Sequence, residues 1–169
     1  MPHRISRERV LERLTAEAPS ACWMCVLARP EDRALCLAHT DRATVRLSRY
    51  PTRWGHVLVI PRAHVERFEA LDEDTWLEAT KLAHRAARAL ERVLQPSRCY
   101  VASLGTSEPE LPMTFPHLHV HVIPVEEPGA RPSEVLTWQH GLYDGTDDEW
   151  RELHAALVTA WRASPPATE

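Results

Sequence analysis

Phe115-Pro116-His117-Leu118-His119-Val120-His121-Val122-Ile123-Pro124 decides how the rest of the chain is read. Three histidines recur at spacing two with apolar residues between them. On a β-strand successive side chains point to opposite faces, so His117, His119 and His121 share one face and Leu118, Val120 and Val122 the other. The apolar face suits packing under helices. The other is a row of imidazoles, groups that act as nucleophiles, proton carriers near neutral pH and metal ligands.

Working outward, the segment before this run, 105–116, is a loop rich in proline, and 98–104 reads as a strand. Upstream of that, Asp72 is an N-cap for a long helix reaching about Leu94, where Pro96 stops it. Its apolar face carries Trp76, Ala79, Leu82, Ala83, Ala86, Leu90 and Val93. His56-Val57-Leu58-Val59-Ile60 has the Val/Ile content of a central strand covered on both faces. Residues 34–39 and 43–48 read as a hairpin about Asp41-Arg42. Residues 5–18 form an amphipathic helix ended by Pro19. Beyond the histidines, 125–145 is irregular, and Trp138 there is a loop aromatic packed on its own core. Thr146-Asp147-Asp148-Glu149 is a capping box that opens a last helix over about 147–162. The expected fold is α+β: a five-stranded, mainly antiparallel sheet with a long helix between strands and helices at both ends. The chain divides into an N-terminal helix (1–19), a central domain (20–125) and a C-terminal extension (126–169).

The chain has 169 residues, enough for a core without covalent staples, and a formal net charge of −4. No basic patch suggests nucleic acid as a partner. No apolar run approaches the roughly 20 residues of a membrane span. The charged N-terminus is followed by no apolar stretch of a secretory signal, so a cytoplasmic protein is expected. Four cysteines are too few for a disulfide framework. Cys22 and Cys25, at C-x-x-C spacing, suit a metal half-site or redox chemistry, or are small buried hydrophobes. No βαβ context favours the redox reading. Cys36 and Cys99 fall in strands and read as core.

Gly55-His56-Val57-Leu58-Val59-Ile60-Pro61-Arg62-Ala63-His64, a long helix, and His117-Leu118-His119-Val120-His121-Val122-Ile123 together resemble the histidine triad (HIT) family of nucleotide hydrolases and transferases, over about residues 20–125. The Arg49-Tyr50-Pro51 run looks more like its dinucleoside-polyphosphate-cleaving branch. The resemblance implies a homodimer and attack on a nucleotide α-phosphate by the middle histidine, His119, through a nucleotidyl-histidine intermediate. His121 would hydrogen-bond a phosphate oxygen or protonate the leaving group, and His56 would orient His121. A nitrogen of His119 can attack phosphorus only if its other nitrogen keeps the proton, a task for a backbone carbonyl beside the strand. Some branches of the family hold a structural zinc on a cysteine pair and two histidines, which here correspond to Cys22, Cys25, His64 and His117.

The chain also departs from the family pattern. Ser48 stands eight positions before His56, where an acid or amide usually holds the ribose. Ser103 takes the place of a common asparagine, and Met113-Thr114 the place of a Gln-Ser/Thr pair that approaches the phosphates. Three other activities are compatible with these residues. They are transfer of the nucleotidyl group to phosphate or a sugar phosphate, nucleotide binding with weak turnover in a regulatory role, and metal binding by the HxHxH row itself.

Overall fold

The computed structural model describes residues 2–18, 22–31, 33–105 and 115–163. The expected positions Met113 and Thr114, and the tail from Ser164, lie outside them. The central sheet has the order β2-β3-β4-β6-β5, formed by Cys36–His39, Ala43–Leu47, Val57–Pro61, Val120–Val125 and Arg98–Ala102. Every neighbouring pair is antiparallel. This is the α+β, five-stranded architecture expected from the sequence.

Alternation sorts β3, β4 and β6 into two faces. Val45, Val57, Val59, Val120 and Val122 join one buried cluster with the helices α3 (Glu73–Leu94) and α5 (Asp147–Arg162). Small residues on α3 (Ala79, Ala83, Ala86 and Ala89) are all buried and let the helix lie close on the sheet. Asp72 caps α3 by accepting from the Thr75 amide at 2.9 Å. Gln95, in the left-handed conformation, ends the helix before Pro96. Thr146 and Glu149 form the reciprocal capping box that starts α5. On the opposite face Leu58 and Ile60 pack with Met24 and Ala28, at and just after the short helix α2 (Trp23–Leu27).

Three features differ from the sequence expectation. The histidine strand is regular only from Val120, and β6 pairs with β4 only over Val57–Val122, Leu58–His121 and Val59–Val120. Before that point the chain leaves the ladder, and the Leu118 amide donates instead to the Val65 carbonyl at 2.7 Å. Pro61, lacking an amide, could not have continued the ladder as a donor. Second, residues 3–5 are not helical: β1 (His3–Ile5) pairs with β7 (Leu142–Asp144), and the helix α1 spans Arg7–Ala16. Third, 125–145 contains β7 and a short helix, α4 (Pro132–Val135). Three-residue strands carry too little periodicity to be read, and these two lie at opposite ends of the chain. Gly141 permits the pairing, since its φ is +78° and a Cβ there would sit 2.7 Å from the Ile5 carbonyl oxygen. Among the described residues no helix is long and apolar enough to cross a membrane.

Candidate active site and metal cluster

A cavity of about 350 Å³ opens on the sheet face opposite α3 and α5. β4 and β6, with the residues leading into them, bring His56, His119 and His121 to it. The segment after β3 brings Ser48, Arg49 and Tyr50, and α2 brings Trp23, Met24 and Leu27. Leu14 and Glu17 reach it from α1. The lining is mostly apolar and aromatic with a few convergent polar groups, as small-molecule sites generally are.

His119 is buried, and its Nδ1–H donates to the main-chain carbonyl of His117 at 2.7 Å. That bond assigns the tautomer and leaves Nε2 as the nitrogen with a free lone pair. His56 and His121 face each other, with Nε2 of His56 3.0 Å from Nδ1 of His121. His56 Nδ1 is buried with no hydrogen-bond partner. A buried N–H without an acceptor is costlier than an idle lone pair. His56 therefore donates from Nε2, and His121 carries its own proton on Nε2. The rings of His119 and His121 lie 4.6 Å apart.

Burial disfavours the imidazolium form at all of these sites. It lowers the His119 pKa, partly offset by the bond to the His117 carbonyl. Burial, then the neighbouring His56 and His119, holds His121 well below the usual histidine range. Burial, with a smaller contribution from His119, brings His56 to about 3. At neutral pH the three rings are uncharged, so the cavity offers a nucleophilic nitrogen and a hydrogen-bond donor side by side.

His117 faces away from this cavity. Its Nε2–H donates to the Pro61 carbonyl at 2.9 Å, so Nδ1 presents a lone pair toward Cys25 Sγ at 3.4 Å and Cys22 Sγ at 3.7 Å. His64 is arranged likewise: Nε2–H points to Glu66 Oε1 at 3.3 Å, and Nδ1 lies 3.2 Å from Cys25 Sγ. The four donor atoms all lie within 4.8 Å of one another. Tetrahedral zinc with Zn–S near 2.3 Å and Zn–N near 2.0 Å requires donor–donor separations of roughly 3.3–3.8 Å. The contacts to Cys25 and His117 sit close to that range, both histidines hold the tautomer a metal needs, and each has an outer acceptor. This cluster can bind a metal. Burial raises the Cys25 thiol pKa, and its Cys22 neighbour adds to the rise; a divalent cation would reverse that preference.

The triad row is thus divided, with His119 and His121 on the cavity and His117 in the cluster. Ser48 lines the cavity, and its amide donates to the His56 carbonyl at 2.8 Å. Ser103 is exposed just past β5 and is not among the lining residues. Trp138, expected to pack on its own core, lines the cavity. Gly105 was not singled out in the sequence. A Cβ there would lie 2.4 Å from the Phe115 carbonyl oxygen and 3.5 Å from His119 Cε1. Its one sequence signal is a glycine at the close of a strand, which can mark a close backbone approach.

The model of the HIT domain matches residues 29–127. An uncharacterized HIT-like protein of Mycoplasma genitalium, MG132, is 28% identical over 65% of this chain and 77% of its own length. Adenosine 5'-monophosphoramidase HNT1 of Saccharomyces cerevisiae is 26% identical over 88% of both chains. AP-4-A phosphorylase of Mycobacterium tuberculosis is 30% identical over 56% of this chain and 48% of its own. Among solved structures, a hypothetical histidine triad nucleotide-binding protein of Sulfolobus tokodaii, ST2152, superposes with a TM-score of 0.66 over 84% of this chain and 93% of that one, at 23% identity. A zinc-bound histidine triad family protein of Mycobacterium smegmatis gives 0.62 over 85% and 98%, also at 23% identity.

Proposed function

The chain belongs to the HIT family of nucleotide-processing proteins, and on that premise we propose that it cleaves a phosphoanhydride or phosphoramidate bond at a nucleotide α-phosphate through a nucleotidyl-His119 intermediate. The observation that carries this reading is the 2.7 Å bond from His119 Nδ1–H to the His117 carbonyl. It leaves a neutral, desolvated Nε2 on a ring that lines the cavity. Attack forms an Nε2–P bond as the bond to the leaving group breaks, and the ring becomes an imidazolium with its proton still on Nδ1. A phosphoanhydride leaving group departs as an anion and needs no proton, whereas a phosphoramidate nitrogen takes up a proton from solvent and departs as the amine. His121 Nε2–H donates to a phosphate oxygen, and His56 holds that ring by the 3.0 Å bond to Nδ1. Water then attacks phosphorus and gives up a proton to solvent, the P–N bond breaks, and its electron pair returns to Nε2. Positioning and hydrogen bonding to the phosphoryl oxygens do most of the work in such transfers.

Cys22, Cys25, His64 and His117 would hold a zinc ion in a closed structural site. Bound there, zinc would tie α2 and the chain after β4 to the segment entering β6. Dinucleoside polyphosphates are the substrate class favoured by Arg49-Tyr50-Pro51. Similarity to a phosphorylase supports a second reading, in which phosphate is the acceptor. A homodimer formed along the sheet edge at β5 completes the proposal: β5 pairs only with β6 among the described residues, and Val101 on it is 56% exposed.

The test uses α-phosphate-labelled diadenosine tetraphosphate and adenosine 5'-phosphoramidate, with and without inorganic phosphate. A mild alkaline quench should trap an acid-labile adduct in the wild type and none in His119→Ala. AMP as product indicates water as acceptor, and ADP in the presence of phosphate indicates phosphorolysis. Undiminished turnover by His119→Ala would sink the mechanism. Nucleotide binding without adduct or turnover would leave a binding protein.

A further inference from the structure

The cavity is lined in part by an exposed charge that an enzyme acting on phosphates has no evident reason to keep. Among the described residues that line it, Glu17 is the only carboxylate. It lies outside the residues matched by the family model. It caps the C-terminal end of α1, where its amide donates to the Arg13 carbonyl at 2.9 Å. A negative charge there opposes the helix dipole and gains nothing for the helix. It would also repel an anionic substrate.

The end of α1 is held over the cavity by a buried anchor. Arg13, one turn before Glu17, pairs with Asp144 on β7 at 2.7 Å and lies 6.0 Å from the centre of the Tyr50 ring. Asp144 is 7% exposed and also pairs with Arg49 at 3.2 Å. Arg49 and Tyr50 directly follow Ser48. One aspartate thus links α1 to the segment whose first residue is a serine too short and uncharged to grip a diol strongly. Val10, on the same helix, is fully buried and fixes its docking.

We propose that Glu17 is a specificity-determining residue. Its carboxylate accepts hydrogen bonds from the vicinal hydroxyls of a ribonucleoside, a task that Ser48 cannot perform alone. The inference rests on the nucleotide reading above. It makes the N-terminal helix part of the ligand site rather than a covering.

Binding of AMP and of 2',3'-dideoxy-AMP, measured by titration calorimetry, tests this without turnover. Hydrogen bonds to a charged acceptor are worth on the order of 10-fold to 100-fold in affinity, so wild type should prefer AMP by that factor. Glu17→Ala should weaken AMP to the dideoxy level and leave the dideoxy compound unweakened. Adding Ser48→Asp to Glu17→Ala should restore the preference. A Glu17 that makes no contact with the ribose predicts the opposite sign, because losing a negative charge would leave AMP binding unchanged or tighten it. That result, or an unchanged AMP to dideoxy ratio in Glu17→Ala, overturns the assignment while nucleotide binding stands. Failure of the wild type to bind either compound overturns the nucleotide reading, and this inference with it.

Discussion

The His119 Nδ1–H bond to the carbonyl of His117, at 2.7 Å, joins two sites that otherwise face apart. His117 gives its ring to the cysteine cluster and its carbonyl to the ring that lines the cavity. The residue placed among the metal-binding groups is therefore the one that sets the tautomer of the proposed nucleophile. Order in the cluster therefore bears on the orientation of the His119 ring.

Metal content separates the two uses of histidine. Elemental analysis of purified protein should find close to one zinc per chain. His119→Ala should keep it, while Cys22→Ser and Cys25→Ser should lose it. Glu66→Gln, which weakens the hold on His64 Nε2, should lower zinc affinity by about 10-fold to 100-fold. Chelation should lower Tm by more than about 5 °C, because the metal links three chain segments. Zinc lost with His119→Ala and kept with Cys22→Ser would place the metal in the triad instead.

Gly105→Ala probes the contact between the chain just after β5 and the segment that leads to His119. The added methyl would fall 2.4 Å from the Phe115 carbonyl oxygen, so the backbone leading to His119 must shift. A displacement of that kind should cut kcat by about 10-fold to 100-fold, with zinc content unchanged. Wild-type kcat in this variant would show the approach to be without consequence.

Acid stability follows from the buried His56–His121 pair. Both pKa values are depressed in the folded protein, His56 to about 3. The unfolded chain binds protons at these rings below the ordinary value of about 6.5, whereas the folded protein does not. Between those limits the unfolded state carries more protons, so unfolding free energy rises with pH. The stabilising contribution is complete above about 6.5 and is lost as pH falls toward 3. The slope is up to about 1.4 kcal/mol per pH unit for each ring. Urea unfolding from pH 7 to pH 4 should show that slope, and His56→Phe with His121→Phe should flatten it. An equal slope in the double variant would assign the acid sensitivity to other groups.

Asp144→Asn removes the charge shared by Arg13 and Arg49 and leaves two guanidiniums facing each other. Both arginines are partly exposed, so solvent screens much of the effect. A fall in Tm of roughly 2–4 °C is expected. Faster proteolysis within residues 1–18 should accompany it. Unchanged Tm and unchanged proteolysis would mean that α1 is held by Val10 and its apolar contacts alone.

Much of this protein is determined by local sequence. Alternation in Val57–Ile60 and Val120–Ile123, the Asp72 cap and alanine-rich face of α3, and the Thr146–Glu149 capping box depend on residues close in the chain, so their physics is readable there. The spacing of His119 and His121 put both on one face for the same reason. Tertiary structure decided what depends on distant partners. Pro61 and Val65 draw the chain off the ladder before Val120 and turn His117 toward Cys22, Cys25 and His64. β1 finds β7 across nearly the whole chain, and Asp144 then fixes α1 over the cavity. No periodicity encodes such meetings, because each depends on two segments whose separation in sequence says nothing about their separation in space. Ser48 marks where the expected acid is missing, and folding brings Glu17 to the same cavity.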